Sequence, residues 1–122
     1  ELVAEADRDR SWAWVCERSG DVAGLLVVSP PERAAWIAPL TSRSPVAYLG
    51  CLVVAAGRRG HGVGTALVRH AHAALDAAGV DVTLLHYSIL NPLAAPFWHR
   101  CGYRPLWTFW HAFPARRLTA GR

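Results

Sequence analysis

Apolar and polar positions alternate early in the chain and recur at helical spacing in its middle. Trp12 and Val15 fall in an alternation that predicts a strand over residues 11–18, and Ser19-Gly20-Asp21 suits a hairpin turn. Residues 22–29 form a second, more apolar strand, which Pro30-Pro31 stops because proline cannot continue a ladder. Ahead of them, residues 1–10 are charged and lack a long apolar period, so they read as a frayed lead-in or the tail of a helix. Residues 32–40 suit one or two helical turns, and residues 41–45 a polar loop. A third strand spans residues 48–54. Val63, Leu67, Ala71, Ala74, Leu75 and Ala78 then recur at helical spacing over residues 62–78, with Gly79 as the C-cap. In residues 81–87, Val82 and Leu84 alternate with Thr83 and Leu85. Asn91-Pro92 reads as an N-cap followed by proline at the first helical position, opening a short helix to about Cys101 that tolerates Pro96 near its start. Gly102 ends that helix, and residues 103–113 give a last, aromatic-rich strand or pair of strands.

The predicted order is strand, strand, strand, helix, strand, helix, strand. It defines one α/β domain over residues 1–122, with a mixed, mainly antiparallel central sheet flanked by helices.

Between the third strand and the first helix lies Arg59-Gly60-His61-Gly62-Val63-Gly64-Thr65. Without Cβ atoms, glycines let the backbone turn tightly and aim its N–H groups at an anion, and the helix N-terminus behind them adds positive potential. The turn therefore suits a phosphate or pyrophosphate. A P-loop would need Gly-Lys-Ser/Thr, and the chain has no lysine. A dinucleotide fold would need glycine where Thr65 stands and an acidic residue closing the next strand, whereas Asp81 opens it.

This run resembles the Arg/Gln-x-x-Gly-x-Gly/Ala signature of the GNAT superfamily of acyl-CoA-dependent N-acetyltransferases. The likeness extends back to the strand end Leu52-Val53-Val54. It extends forward to Asn91, Ala94, Phe97-Trp98 and Gly102-Tyr103, which look like that family's Asn-x-x-Ala-x-x-Phe-Tyr-x-x-x-Gly-Phe segment. It is close over about residues 46–104 and rests on strand pattern alone outside them. The resemblance implies a GNAT-like fold, acetyl-CoA as acyl donor and a primary amine as acceptor. The backbone of Leu52, Val53 and Val54 would bond the pantetheine arm like another strand. Gly60, His61, Gly62, Val63, Gly64 and Thr65 would wrap the pyrophosphate, with the Thr65 hydroxyl as an extra donor. Arg59, with Arg58 and Arg100 as lesser candidates, would reach a phosphate, and Asn91 would contact the pantetheine region. A complete member would also place a strand and two helices before Ser11. Those N-terminal elements are expected to be missing here, as if a preceding half, such as a second acetyltransferase-like domain, had been removed.

One departure bears on catalysis. Where the family usually has a tyrosine that protonates the departing thiolate, this chain has Trp98, whose indole donates a hydrogen bond but does not usefully release its proton. A coenzyme A thiol should resemble cysteine, with a pKa of about 8.5, so leaving as thiolate near pH 7 costs only roughly 2 kcal/mol. No carboxylate stands at a suggestive position for a base, and His86, late on the strand before Asn91, is the candidate by pKa. His86 and Trp98 are thus the candidate catalytic residues. The competing class is an acyl-CoA-binding sensor or scaffold without catalysis.

Composition narrows the rest. The formal net charge of +4 comes entirely from scattered arginines, apart from the pairs Arg58-Arg59 and Arg116-Arg117, so nucleic acid is not an expected partner. No apolar run reaches membrane-spanning length and no signal peptide opens the chain. Cys16, Cys51 and Cys101 sit in apolar contexts, which favours buried, reduced thiols in a cytoplasmic protein. Cys-x-x-Cys is absent and the histidines lack ligand spacing, so no metal is expected. With no methionine, residue 1 is not read as a translational start. Trp12, Trp14 and Trp36 add apolar area that a chain of this length can scarcely bury. The strand pair over residues 11–29 is therefore expected to lack an outer partner, and to pair with a second copy or with the missing half.

Overall fold

Ser19 and Gly20 reverse the chain with positive φ of 55° and 81°, joining β2 (Trp12–Arg18) to β3 (Asp21–Ser29) in the hairpin their sequence predicts. The computed structural model describes residues 2–7 and 12–109, with side chains from Trp12 onward. β3 pairs antiparallel with β4 (Val46–Val54), and β4 pairs parallel with β5 (Val82–Leu85). On the other side of β2 lies β1 (Leu2–Asp7), also antiparallel, from Leu2 opposite Glu17 to Asp7 opposite Ala13. The sheet order is β1-β2-β3-β4-β5. This is the mixed, mainly antiparallel sheet expected.

Two expectations about the N-terminal side are overturned. Residues 2–7 are neither a lead-in nor a helix tail: they pair antiparallel with β2 as its outer strand. A strand thus does precede Ser11, and β2 has the outer partner that was expected to be missing. Among the described residues, no helix precedes Trp12.

Helix α1 (Val63–Ala77) covers one face of the sheet. Its buried stripe is Val63, Gly64, Leu67, Val68, Ala71 and Leu75, so Val68 replaces Ala74 and Ala78 of the predicted stripe, which are exposed. Leu67 and Leu26 beneath it are fully buried, each burial contributing about 1.5–3 kcal/mol. Trp14 (5 % exposed) and the half-buried Trp12 belong to this same core, so the chain buries more of its tryptophan area than expected. Trp36 stays 62 % exposed. Its neighbours Ala34 and Ile37 form a small second core with Val46 on the opposite face.

Both helices end on left-handed glycines. Gly79 N–H bonds the Asp76 carbonyl and Val80 N–H reaches Leu75, each at 3.0 Å. Gly102 N–H bonds His99 at 3.0 Å and Tyr103 N–H reaches Trp98 at 2.9 Å, closing α2 (Ala94–Arg100) in the same way. The start of α2 differs from expectation. Leu93, not Asn91, is the N-cap, and Asn91 instead builds the preceding turn, its side-chain oxygen accepting from Leu93 N–H at 3.1 Å. Pro96 then falls in the first helical turn, where its missing N–H costs nothing.

The last predicted strand is also corrected over residues 103–109, which form none; residues 110–113 lie outside the described residues. Pro105 removes a ladder donor here, and the segment is held by side chains. Arg104 donates to the carbonyls of His99 and Tyr103, and the Trp107 indole N–H to Leu40 at 2.7 Å.

Candidate active site

Gly50 has no place in the ladder. Val27 lies opposite Cys51 while Val28 lies opposite Leu49, so Gly50 is an extra residue that bends β4. Parallel pairing with β5 ends at the same level, at Leu49 opposite Leu85. From there β4 continues to Val54 beside β3 alone, leaving its other edge open.

Which groups face that opening follows from the ladder. Ala55 N–H donates to the Ala23 carbonyl at 2.8 Å, so residues 23 and 55 are a hydrogen-bonded pair. Antiparallel pairs alternate, which makes Leu25 with Val53 the next such pair. The main-chain groups of Val53 are therefore directed to β3, and those of Leu52 and Val54 to the open edge.

Beyond β4, a short 3-10 turn (Ala56–Arg58) leads into the glycine turn. Gly60 and Gly62 are left-handed, with φ of 79° and 77°, and an added Cβ would meet nothing within 4 Å at either. They serve conformation, not close approach. Gly64 differs. It lies in the first turn of α1, and a Cβ there would come within 3.2 Å of the Phe97 ring. The first helical bond closes from Ala66 N–H to Gly62 O at 3.0 Å, so the N–H groups of Val63, Gly64 and Thr65 have no helical acceptor. Thr65 is exposed beside them.

The β2–β3 hairpin braces this turn. Arg18 donates to the His61 carbonyl, and Arg58 donates to the Arg18 carbonyl at 3.3 Å and lies 3.8 Å from the Asp21 carboxylate. Arg58 is thus engaged within the fold. Arg59 and Arg100 are exposed, Arg59 beside the turn and Arg100 in the last turn of α2.

His86 and Trp98 lie in different surroundings. Trp98 is buried, with its ring edge-on to Phe97 (centroids 4.8 Å apart) and to Tyr103 (5.3 Å). β5 stops at Leu85, so His86 and Tyr87, which were expected to close this strand, lie just beyond it, both exposed. His86 Nδ1 is 2.9 Å from the Tyr48 hydroxyl, and rings of Trp36, Tyr48 and Phe109 surround it. Burial holds the Tyr48 phenol above its ordinary pKa, so it stays neutral. Asn91 is exposed, and its side-chain oxygen is occupied by the Leu93 amide.

Sequence reasoning missed Tyr48, Phe97, Gly24 and Gly50 as positioning residues. Gly24 carried a signal, since a glycine inside an apolar strand marks a close approach or a bulge. Of the thiols, Cys16 is buried, Cys101 half-buried and Cys51 exposed, contrary to the expectation of three buried ones. Among the described residues, no helix is long and apolar enough to cross a membrane, and no three His, Cys, Asp or Glu side chains are grouped to hold a metal.

The family model described as "Acetyltransferase (GNAT) family" matches residues 2–103. The chain belongs to the GNAT family. Solved structures share the fold of this GNAT domain at low identity. An aminoglycoside N-acetyltransferase AAC(6')-Iy in complex with CoA superposes with TM-score 0.73 at 17% identity, covering 86% of this chain and 76% of that one. A transcriptional regulator from Bacillus halodurans gives 0.69 at 19%, covering 86% and 67%. An aminoglycoside acetyltransferase from an uncultured soil metagenomic sample, in complex with trehalose, gives 0.67 at 15%, covering 88% and 68%. A comparison with curated proteins gave no match.

A second hydrogen-bonded pair ties α1 of this GNAT domain to the end of α2. His72 Nε2 is 2.8 Å from the Tyr103 hydroxyl. Burial pushes the Tyr103 phenol far up, so it keeps its proton, and the His72 tautomer with a bare Nε2 accepts the hydrogen bond. Burial likewise holds His72 below the ordinary histidine value, which favours the neutral form. A group with a lowered folded pKa of this kind stabilises the fold above about pH 6.5 and loses that contribution as pH falls below it. His72 is only half-buried, so solvent screens the effect. Going from pH 7 to pH 5 should lower the melting temperature of the wild type by about 2–4 °C more than that of His72→Gln. Parallel pH-melting curves for the two proteins would remove His72 as the cause.

Proposed function

We propose that this chain transfers an acetyl group from acetyl-CoA to a primary amine. The observation that carries this reading is the open β4 edge at Leu52 and Val54, continuous with the unbonded N–H groups at the start of α1. A slender amide-bearing arm can bond the first, and a pyrophosphate the second. CoA in the complex of a structural neighbour supports this choice of donor. Leu52 and Val54 hold the arm, while Val53 contributes through its place in the ladder. Gly60, His61, Gly62, Val63, Gly64 and Thr65 receive the pyrophosphate, and Arg59 adds positive charge. Asn91 acts through the turn it builds beside the site.

In the reaction, the amine nitrogen attacks the thioester carbonyl. The C–N bond forms, the C–S bond breaks, and coenzyme A leaves as thiolate. His86 takes the proton lost by the amine. This needs the tautomer in which Nδ1–H donates to the Tyr48 oxygen, leaving Nε2 as acceptor. Trp98 packs the site and supplies no proton to the thiolate.

Calorimetry with acetyl-CoA, followed by coenzyme A release against a panel of amines, tests the proposal. Saturable binding with turnover is expected. Binding without turnover on any amine would favour an acyl-CoA sensor, a reading that tryptophan at position 98 supports. Trp98→Tyr is expected to raise the rate at pH 7 by about tenfold, by supplying the missing acid. An unchanged rate from about pH 6 to pH 9 would show that the thiolate leaves unaided.

A further inference from the structure

Trp36, Tyr48, His86 and Phe109 form one ring cluster on the sheet face opposite α1. Trp36 meets Tyr48 edge-on at 4.8 Å and lies nearly parallel to His86, 22° between planes with centroids 6.4 Å apart. Phe109 meets His86 at 5.5 Å and 55°. Trp36 and Phe109 remain 62 % and 64 % exposed, so most of their ring surface is open to a ligand. The place of the cluster matters as much as its composition. Tyr48 immediately precedes Leu49 and His86 immediately follows Leu85, the last pair joining β4 to β5. The rings thus stand at the mouth of the opening, on the face away from the helix that follows the glycine turn.

We propose that this cluster seats the acceptor, and that the acceptor is a single amine carried on a flat, unsaturated body. The proposal rests on the acetyl-transfer reading above. Aromatic faces attract an ammonium and stack on planar groups, and His86 stands among them to take the proton. A polyamine needs carboxylates as well, one near each further ammonium. Among the described residues, no hydrogen bond or ion pair joins a carboxylate to Tyr48 or His86. Asp81 is held by Arg43 at 2.7 Å and Asp21 faces Arg58, while Glu17, Glu32 and Asp76 are exposed. The formal charge of +4 also disfavours a polycation. The acceptor chemistry assigned here therefore differs from the aminoglycosides named for the structural neighbours.

Calorimetric titration separates the two readings. The chain, alone and saturated with CoA, is titrated with 2-phenylethylamine, n-hexylamine and neamine. 2-Phenylethylamine is expected to bind about tenfold more tightly than n-hexylamine, with neamine weakest. Trp36→Ala should erase that preference and Trp36→Phe should keep it, both with CoA affinity unchanged. Tightest binding by neamine, no binding by any amine, or a 2-phenylethylamine affinity indifferent to Trp36→Ala would overturn the proposal. Failure of CoA to bind would instead remove the acetyl-transfer reading, while the titrations without CoA still report on the ring cluster.

Discussion

Gly62→Val is expected to fold and to lose acetyl-CoA binding by about a hundredfold or more. The left-handed φ of 77° is what aims the turn toward the start of α1. A non-glycine residue there costs about 1–2 kcal/mol and a β-branched one more. Because an added Cβ would meet nothing, the strain is not compounded by a clash, and the local backbone should relax out of its anion-binding shape while the core survives. Calorimetry reads the affinity and circular dichroism the fold. Unchanged affinity in a folded variant would remove the turn from the donor site. Gly64→Val makes a useful contrast, since its side chain would press on Phe97 at 3.2 Å and should lower both affinity and melting temperature.

The largest stability loss is expected at Gly24, well away from the turn. A Cβ there would lie 2.7 Å from Val63 Cγ1, 2.9 Å from Leu67 Cδ1 and 3.0 Å from the Val53 carbonyl oxygen. These neighbours are the buried start of α1 and the backbone of β4, and neither yields easily. Gly24→Val should therefore destabilise by about 3 kcal/mol, roughly 9 to 18 °C in melting temperature for a domain of this size. Gly57→Ala, in open space, should change almost nothing. Equal melting temperatures for Gly24→Val and wild type would mean that α1 does not sit this close to β3.

Local chemistry made much of this architecture legible. The glycine turn, the stripe through Val63, Leu67 and Ala71 and the caps at Gly79 and Gly102 all depend on near neighbours in sequence, and they stand where expected. The candidate donor turn could be located for the same reason. What escaped depends on pairing between distant segments. Residues 2–7 look like a charged lead-in until β2 offers them an edge, because six residues carry too little pattern to mark a strand by themselves. Asn91 has the chemistry of an N-cap, yet its side chain closes an Asx turn and passes the cap to Leu93. Tyr48 and Trp36 carry no motif. Their nearness to His86 comes from β4–β5 register and from the turn that returns residues 34–37 to the sheet. The division of Leu52, Val53 and Val54 between two edges likewise follows from hydrogen-bond phase, to which residue type is blind.

The open edge of β4 also acts as a gauge of what can join it. An outer strand edge is a hazard because any extended chain can dock there, its side chains free on both faces. The gap beyond Leu49 and Leu85 is different, being shut at one end by paired residues and roofed by α1. A polypeptide strand entering it would have to thread side chains alternately against the helix and against the ring cluster. A thin ligand with amides but no branches has no such obstacle. The vacancy in the ladder can thus remain open in a crowded cell without becoming a seed for aggregation, because the bulk of proteins excludes them from it.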